Sequence, residues 1–174
     1  AMTQAGLDDI LVAYPVLGRE KLRRLANLAR DRRVLMALDN ECTAQELSRA
    51  ASEASATIGV LVEFDSGYLR CGLEPGPTCA QLAANVDKLP GLEFRGLMTY
   101  FGTVWGAAEE RRAQARQVIE PVASALQAMA DARIDVEIVS GGSTPAAEFS
   151  AEIPGLTEIR PGTYAYNDLN TFFQ

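Results

Sequence analysis

Short apolar runs alternating with amphipathic stretches predict an α/β fold with a parallel sheet, and their spacing points to part of a barrel. Three observations carry this reading. Six runs rich in Val, Ile and Leu are separated by segments of helical period, as strands buried on both faces and joined by helical crossovers require. Six units over 174 residues come to about 29 residues each (174/6). Eight such units would need about 232 residues, close to the roughly 250 of a complete (β/α)8 barrel. The first run also begins at Asp9, with little chain ahead of it. The expected architecture is a partial (β/α)8 TIM-type barrel of about six βα units, a single domain over residues 1–174 that lacks the first strands. A six-stranded open sheet is the alternative.

Each element has its own warrant. The apolar runs occupy residues 9–14, 34–38, 58–64, 94–100, 136–139 and 156–159. After the first, Leu22, Leu25 and Leu28 recur at helical spacing and mark one apolar face. The second helix carries Thr43 with Glu46 and the third Thr78 with Gln81, both at the spacing of a capping box. Leu82, Val86 and Leu89 give the third helix its apolar face. Residues 107–132 are striped by Val118, Val122, Leu126 and Met129. Pro121 should kink or restart that helix, because it lacks an N–H donor.

Composition narrows the chemistry. The chain is 48% hydrophobic, enough for a real core. Its 16 basic and 23 acidic residues give a formal net charge of −7, which argues against nucleic acid or an anionic membrane as partner. No apolar run nears the ~20 residues of a membrane span. Cys42, Cys71 and Cys79 are odd in number and lack metal-ligand spacing, and read as reduced thiols of a cytoplasmic protein. There is no histidine, which removes every Ser-His or Cys-His mechanism. The 16 basic residues comprise two lysines, Lys21 and Lys88, and fourteen arginines. Chemistry must come from carboxylates, Tyr, Ser or Thr, Arg, the backbone or a cofactor.

Polar residues gather where the strands end, which is where barrels and open α/β sheets place their sites. Asp39-Asn40 and Asp65-Ser66-Gly67 are ordinary turn chemistry taken alone. Glu63 and Asp65, two apart on one strand face, could act as paired carboxylates, but a nearby arginine explains them as well. Ser140-Gly141-Gly142-Ser143-Thr144 is more informative. Its glycines let the backbone approach a ligand and expose N–H groups, and its hydroxyls add donors, as a phosphate needs. Gly162-Thr163 repeats this chemistry after the next strand, and the last two strands are the usual place for a barrel phosphate site.

At this point the chain resembles a known family. The stretches 62–72 (VEFDSGYLRCG), 96–102 (GLMTYFG), 139–145 (VSGGSTP) and 156–168 (LTEIRPGTYAYND) look like the fold type III pyridoxal-phosphate enzymes of the alanine-racemase barrel. Within that fold they are most similar to the D-threonine aldolase and D-serine dehydratase group. The resemblance covers nearly the whole chain in consistent order. It implies a pyridoxal-phosphate-dependent lyase or aldolase acting on D-3-hydroxy amino acids, in a homodimeric parent. A racemase of the same fold and a non-catalytic phosphate- or cofactor-binding module are the alternatives. It implies that Gly141, Gly142, Ser143, Thr144, Gly162, Thr163 and Tyr164 hold the cofactor phosphate. Arg160 falls where relatives place an arginine against the pyridine nitrogen, Arg70 where one approaches the phenolic oxygen, and Tyr100 where a ring stacks on the cofactor.

Three departures stand beside this. The lysine that carries the cofactor as a Schiff base belongs, in this fold, to a first strand not seen here, and neither Lys21 nor Lys88 is a credible substitute. The expectation is therefore no catalytic residue in this chain, and a piece inactive by itself. Thr103 occupies a position where relatives often show a histidine. The C-terminal β domain that supplies ligands for a divalent metal in aldolase and dehydratase members is not seen either. The chain reads as an internal fragment of a longer enzyme.

Overall fold

A computed structural model describes residues 3–164. Strands β1 (Asp9–Val12), β2 (Arg33–Leu38), β3 (Ile58–Glu63), β4 (Leu92–Met98), β5 (Ile138–Gly141) and β6 (Glu158–Ile159) form one sheet in that order. Every neighbouring pair is parallel. A spatial order that follows the chain without reversal is barrel topology; a doubly wound sheet reverses at a switch point.

The two faces differ as a barrel wall requires. Helices α1 (Arg19–Leu28), α2 (Glu41–Glu53), α3 (Pro77–Val86), α4 (Ala108–Gln117) and α5 (Ile119–Asp131) bury their apolar residues in one cluster with Val34, Met36, Val60, Val62 and Val139. The opposite face carries a separate cluster of Leu35, Ala37, Leu61 and Met98, flanked by Leu11 and Ile138, with no helical residue in it. β1 and β5 thus contribute to one small inner core, so the sheet is curled. At its lower rim the Arg33 guanidinium, on β2, lies 2.7 Å from Asp9 and 3.5 Å from Glu137, just ahead of β5. Arg95 of β4 joins the same Glu137 and lies 3.0 Å from Glu93. The molecule is a curled six-stranded parallel half-barrel.

A bulge sharpens this curl. Val60 pairs with Phe94 but Leu61 with Gly96, leaving Arg95 as an extra residue in β4. Gly96 sits at φ +152°, and a methyl group there would stand 1.9 Å from the Ile138 carbonyl oxygen.

Local details correct the sequence-based expectations. β1 and β4 end two residues earlier than expected, because the following residues turn to form the mouth; β5 runs from Ile138 to Gly141 and not over 136–139, and β6 starts two residues late, at Glu158. Neither expected capping box forms. Asn40 is the N-cap of α2, in extended conformation, and accepts the Thr43 N–H at 2.9 Å; Thr43 is already inside the helix. Gly76 precedes α3 at φ +139° and Pro77 opens it, while the Thr78 hydroxyl donates to the Glu74 carbonyl at 2.7 Å. Leu28, expected on the buried face of α1, is exposed. The restart expected at Pro121 is found: α4 ends at Gln117, and Pro121 lies in the first turn of α5, where its N–H is not needed. The three cysteines are free thiols. Among the described residues, no helix is long and apolar enough to cross a membrane.

Candidate functional site

The turns after β5 and β6 meet at the carboxyl end of the sheet. The Thr163 N–H donates to Thr144 Oγ1 at 3.0 Å, and the Arg160 N–H donates to the Gly141 carbonyl at 3.1 Å. Gly142 is left-handed at φ +84°, which turns the backbone out of the strand. Among the described residues no acceptor takes the N–H groups of Gly142, Ser143 or Thr144. Three successive unengaged donors beside a hydroxyl are the chemistry that an oxyanion needs.

The expected phosphate residues do not all play equal parts. Gly141 lies within β5, where a side chain would run into Leu156 and Phe101, so it serves packing. The Ser143 hydroxyl is buried and donates to the Phe101 carbonyl at 3.1 Å, leaving only its N–H for a ligand. Among the described residues a Cβ on Gly162 would meet nothing within 4 Å. Tyr164 is 73% exposed. Residues 165–168, which complete the last stretch of the family resemblance, lie outside the described residues.

Arg160 ties three strands together. Its guanidinium donates to the Thr99 carbonyl at 2.7 Å and to the Ser140 hydroxyl, so β6 is clamped over the ends of β4 and β5. Burial holds its pKa below the usual arginine value, with Arg70 adding repulsion. The Thr99 hydroxyl donates to Ser66 Oγ at 2.9 Å, and Ser66 donates to the Tyr100 carbonyl at 3.2 Å, joining the loop after β3 to the same rim.

Arg70 stands on that loop. Its guanidinium carbon lies 4.6 Å from the centre of the Tyr100 ring and 5.6 Å from that of Tyr68, within cation–π range. The two tyrosines meet edge to face at 5.2 Å. Asp65 builds the loop: its carboxylate accepts the N–H groups of Gly67, Tyr68 and Leu69 at 2.9 to 3.1 Å.

Glu63 is the group that sequence reasoning mispaired. It ends β3 at 2% exposure, and its Oε2 is buried without a hydrogen-bond partner. Burial and the Asp39 carboxylate push its pKa up to about 7, while Arg70 and Arg160 pull the other way. Asp39 outweighs Asp65 because Leu38 pairs with Val62, which sets Asp39 beside Glu63 across the sheet. Spacing along the chain does not give that register, which is why the neighbour was missed. Lys21 and Lys88 are exposed, one on α1 and the other just past α3, away from the mouth.

The fold and rim define a parallel α/β half-barrel domain whose strand ends bring together glycine turns, hydroxyls and two arginines. Residues 3–170 match the family model described as alanine racemase, N-terminal domain, and the chain belongs to that family. It is 37% identical over 166 residues to a D-threonine aldolase of an Arthrobacter species, covering 94% of this chain and 44% of the relative. It is 30% identical over 171 residues to a 3-hydroxy-D-aspartate aldolase of Paracoccus denitrificans, covering 97% and 44%. The crystal structure of D-threonine aldolase from Filomicrobium marinum superposes with a TM-score of 0.93 at 35% identity, over 98% of this chain and 47% of that one. The chain spans less than half the length of these relatives.

Proposed function

We propose that this chain is the cofactor-holding barrel sector of a pyridoxal-phosphate-dependent lyase acting on D-3-hydroxy amino acids of the D-threonine or D-serine type. Similarity to D-threonine aldolase over nearly the whole chain supports the reaction class. One observation carries the site: the Gly142–Thr144 and Gly162–Thr163 turns converge through the Thr144–Thr163 hydrogen bond, with three N–H donors left unengaged.

The residues present fit the cofactor. Gly142, Ser143 and Thr144 offer their N–H groups to the phosphate, and the open space at Gly162 lets it approach. Arg160, clamped by Thr99 and Ser140, is a permanent donor, suited to face the ring nitrogen without giving it a full proton. Arg70 supplies positive charge for the phenolic oxygen, and Tyr100 an aromatic face. When bound, pyridoxal phosphate supplies the electron sink that labilises a bond at the substrate α-carbon. The mouth holds no amine of its own among the described residues, since Lys21 and Lys88 lie on the outer layer. The lysine that carries the cofactor, the homodimer and any divalent metal belong to the parent enzyme in this reading. Without that lysine, binding by this chain is reversible and non-covalent.

Calorimetric titration of pyridoxal phosphate into wild type and Gly162→Val is the test. A Cβ at Gly162 meets nothing among the described residues, and the melting temperature of the variant is measured beside its affinity to separate ligand loss from a folding defect. At least tenfold weaker binding is expected, about 1.4 kcal/mol. Unchanged affinity would remove this turn from the site.

A further inference from the structure

Glu63 has no part in the cofactor contacts above, yet it is the most deeply buried charged side chain of the mouth. Its Oε2 lacks any hydrogen-bond partner among the described residues. A buried carboxylate left unpartnered is costly unless it carries a proton or is compensated. The charged groups around it come from the ends of three strands, Asp39 after β2, Asp65 and Arg70 after β3, and Arg160 after β6, while the end of β4 brings the Tyr100 ring. Neither arginine forms an ion pair with it. Arg160 is bound instead to Thr99 and Ser140, and Arg70 rests over Tyr100.

We propose that Glu63 is a positioning residue for the two mouth arginines: ionised, its buried carboxylate draws on their charge, and protonated, it leaves Arg70 and Arg160 to an incoming anion, so that anion binding at the mouth takes up a proton.

The proposal rests on the cofactor reading for the identity of the anion, a phosphate ester with an ionisable phenol. Its electrostatics follow from the groups around Glu63. Glu63 exchanges its proton near pH 7, because burial and Asp39 disfavour the charge and the arginines only partly restore it. An anion placed near Arg70 and Arg160 adds a further negative charge and screens their attraction, and both effects favour the proton on Glu63. By linkage, affinity then rises as pH falls through the neutral range. The group acts through the arginines, without touching the ligand.

Two measurements on the full chain test this. Carbon-13 NMR of glutamate carboxyls in the ligand-free protein should show one resonance with a midpoint near 7, absent in Glu63→Gln. Arg70→Gln should move that midpoint higher, because Arg70 lowers it; this identifies the carboxyl even if Glu63→Gln does not fold. Glutamates that all titrate in the ordinary range overturn the proposal. Calorimetry with pyridoxal phosphate at pH 7.5, in two buffers of different ionisation enthalpy, then gives the proton uptake. Wild type should take up about half a proton or more beyond Glu63→Gln, the ligand's own ionisation cancelling between them. Between pH 6 and 8.5 wild type should lose at least about threefold more affinity than Glu63→Gln. Where Glu63→Gln does not fold, the wild-type carboxyl midpoint is followed on adding pyridoxal phosphate, and a rise is required. Equal uptake, or a midpoint that stays put on binding, overturns the coupling alone. Absence of binding by any variant overturns the cofactor reading and the coupling with it.

Discussion

A carboxyl kept from water makes folding itself depend on pH. Glu63 binds its proton more tightly in the folded chain, near 7, than in an unfolded one, near 4.5. Between those values the native state holds a proton that the unfolded state has lost, so stability falls as pH rises from about 4.5 to 7 and then levels off. The upper bound on this effect is about 3 kcal/mol. Denaturant titrations at pH 5 and pH 8 should show wild type weaker at pH 8, with Glu63→Gln recovering most of the difference. If the variant gains nothing at pH 8, the buried charge is not what weakens the fold there. The origin of this behaviour was only half visible in the sequence. Glu63 stood out as a strand-end carboxylate, but spacing alone paired it with Asp65, whose oxygens are engaged by three loop N–H groups. Its real neighbour, Asp39, lies 24 positions away and is reached only through the register of β2 on β3. The meeting of the two glycine-hydroxyl turns was legible for the opposite reason: their glycines and hydroxyls are contiguous, and a parallel sheet places consecutive strand ends side by side.

At the level of elements, periodicity located all six strands and the break before Pro121, because burial pattern and the missing N–H act locally. Helix starts were less legible. Several residues near each start can cap, and the one that wins is decided by backbone conformation: Asn40 is extended and Gly76 left-handed, so Thr43 and Thr78 fall inside their helices. The β4 bulge was not legible either, since an extra residue leaves the apolar pattern of its strand nearly unchanged. Gly96 is where it can be tested. At φ +152° with the Ile138 carbonyl in the way, Gly96→Ala must shift β4 against β5. The expected loss is about 3 kcal/mol or more, a fall in Tm near 10 °C. Gly162→Ala, with open space at the corresponding point, should melt within about 2 °C of wild type. Equal Tm values for the two variants would mean that the bulge relaxes freely.

The whole molecule is an open curve. β1 pairs on one side only among the described residues, and inner residues such as Leu11 and Ile138 are only partly covered. An unpaired parallel edge beside apolar surface favours self-association. Sedimentation velocity should show the weight-average mass rising between about 10 and 200 μM protein, and a constant monomer mass over that range would contradict this. The ion network of Asp9, Arg33, Glu137, Arg95 and Glu93 at the lower rim is half exposed, so it contributes little to stability and sets the curl more than the strength.

The order of the strands has a consequence for how the protein is made. Each strand pairs only with its neighbours in the chain, so a polypeptide emerging from the ribosome can add one βα unit at a time to a sheet already in place. The junction of the Thr144 and Thr163 turns does not share this gradual assembly. It exists only once Thr163 has cleared the exit tunnel and reached Thr144, after β1 to β6 have all been laid down. On the proposed function, a chain cut short before that point lacks the hydrogen bond that joins the two turns, a defect that a ligand assay would report and strand pairing alone would not.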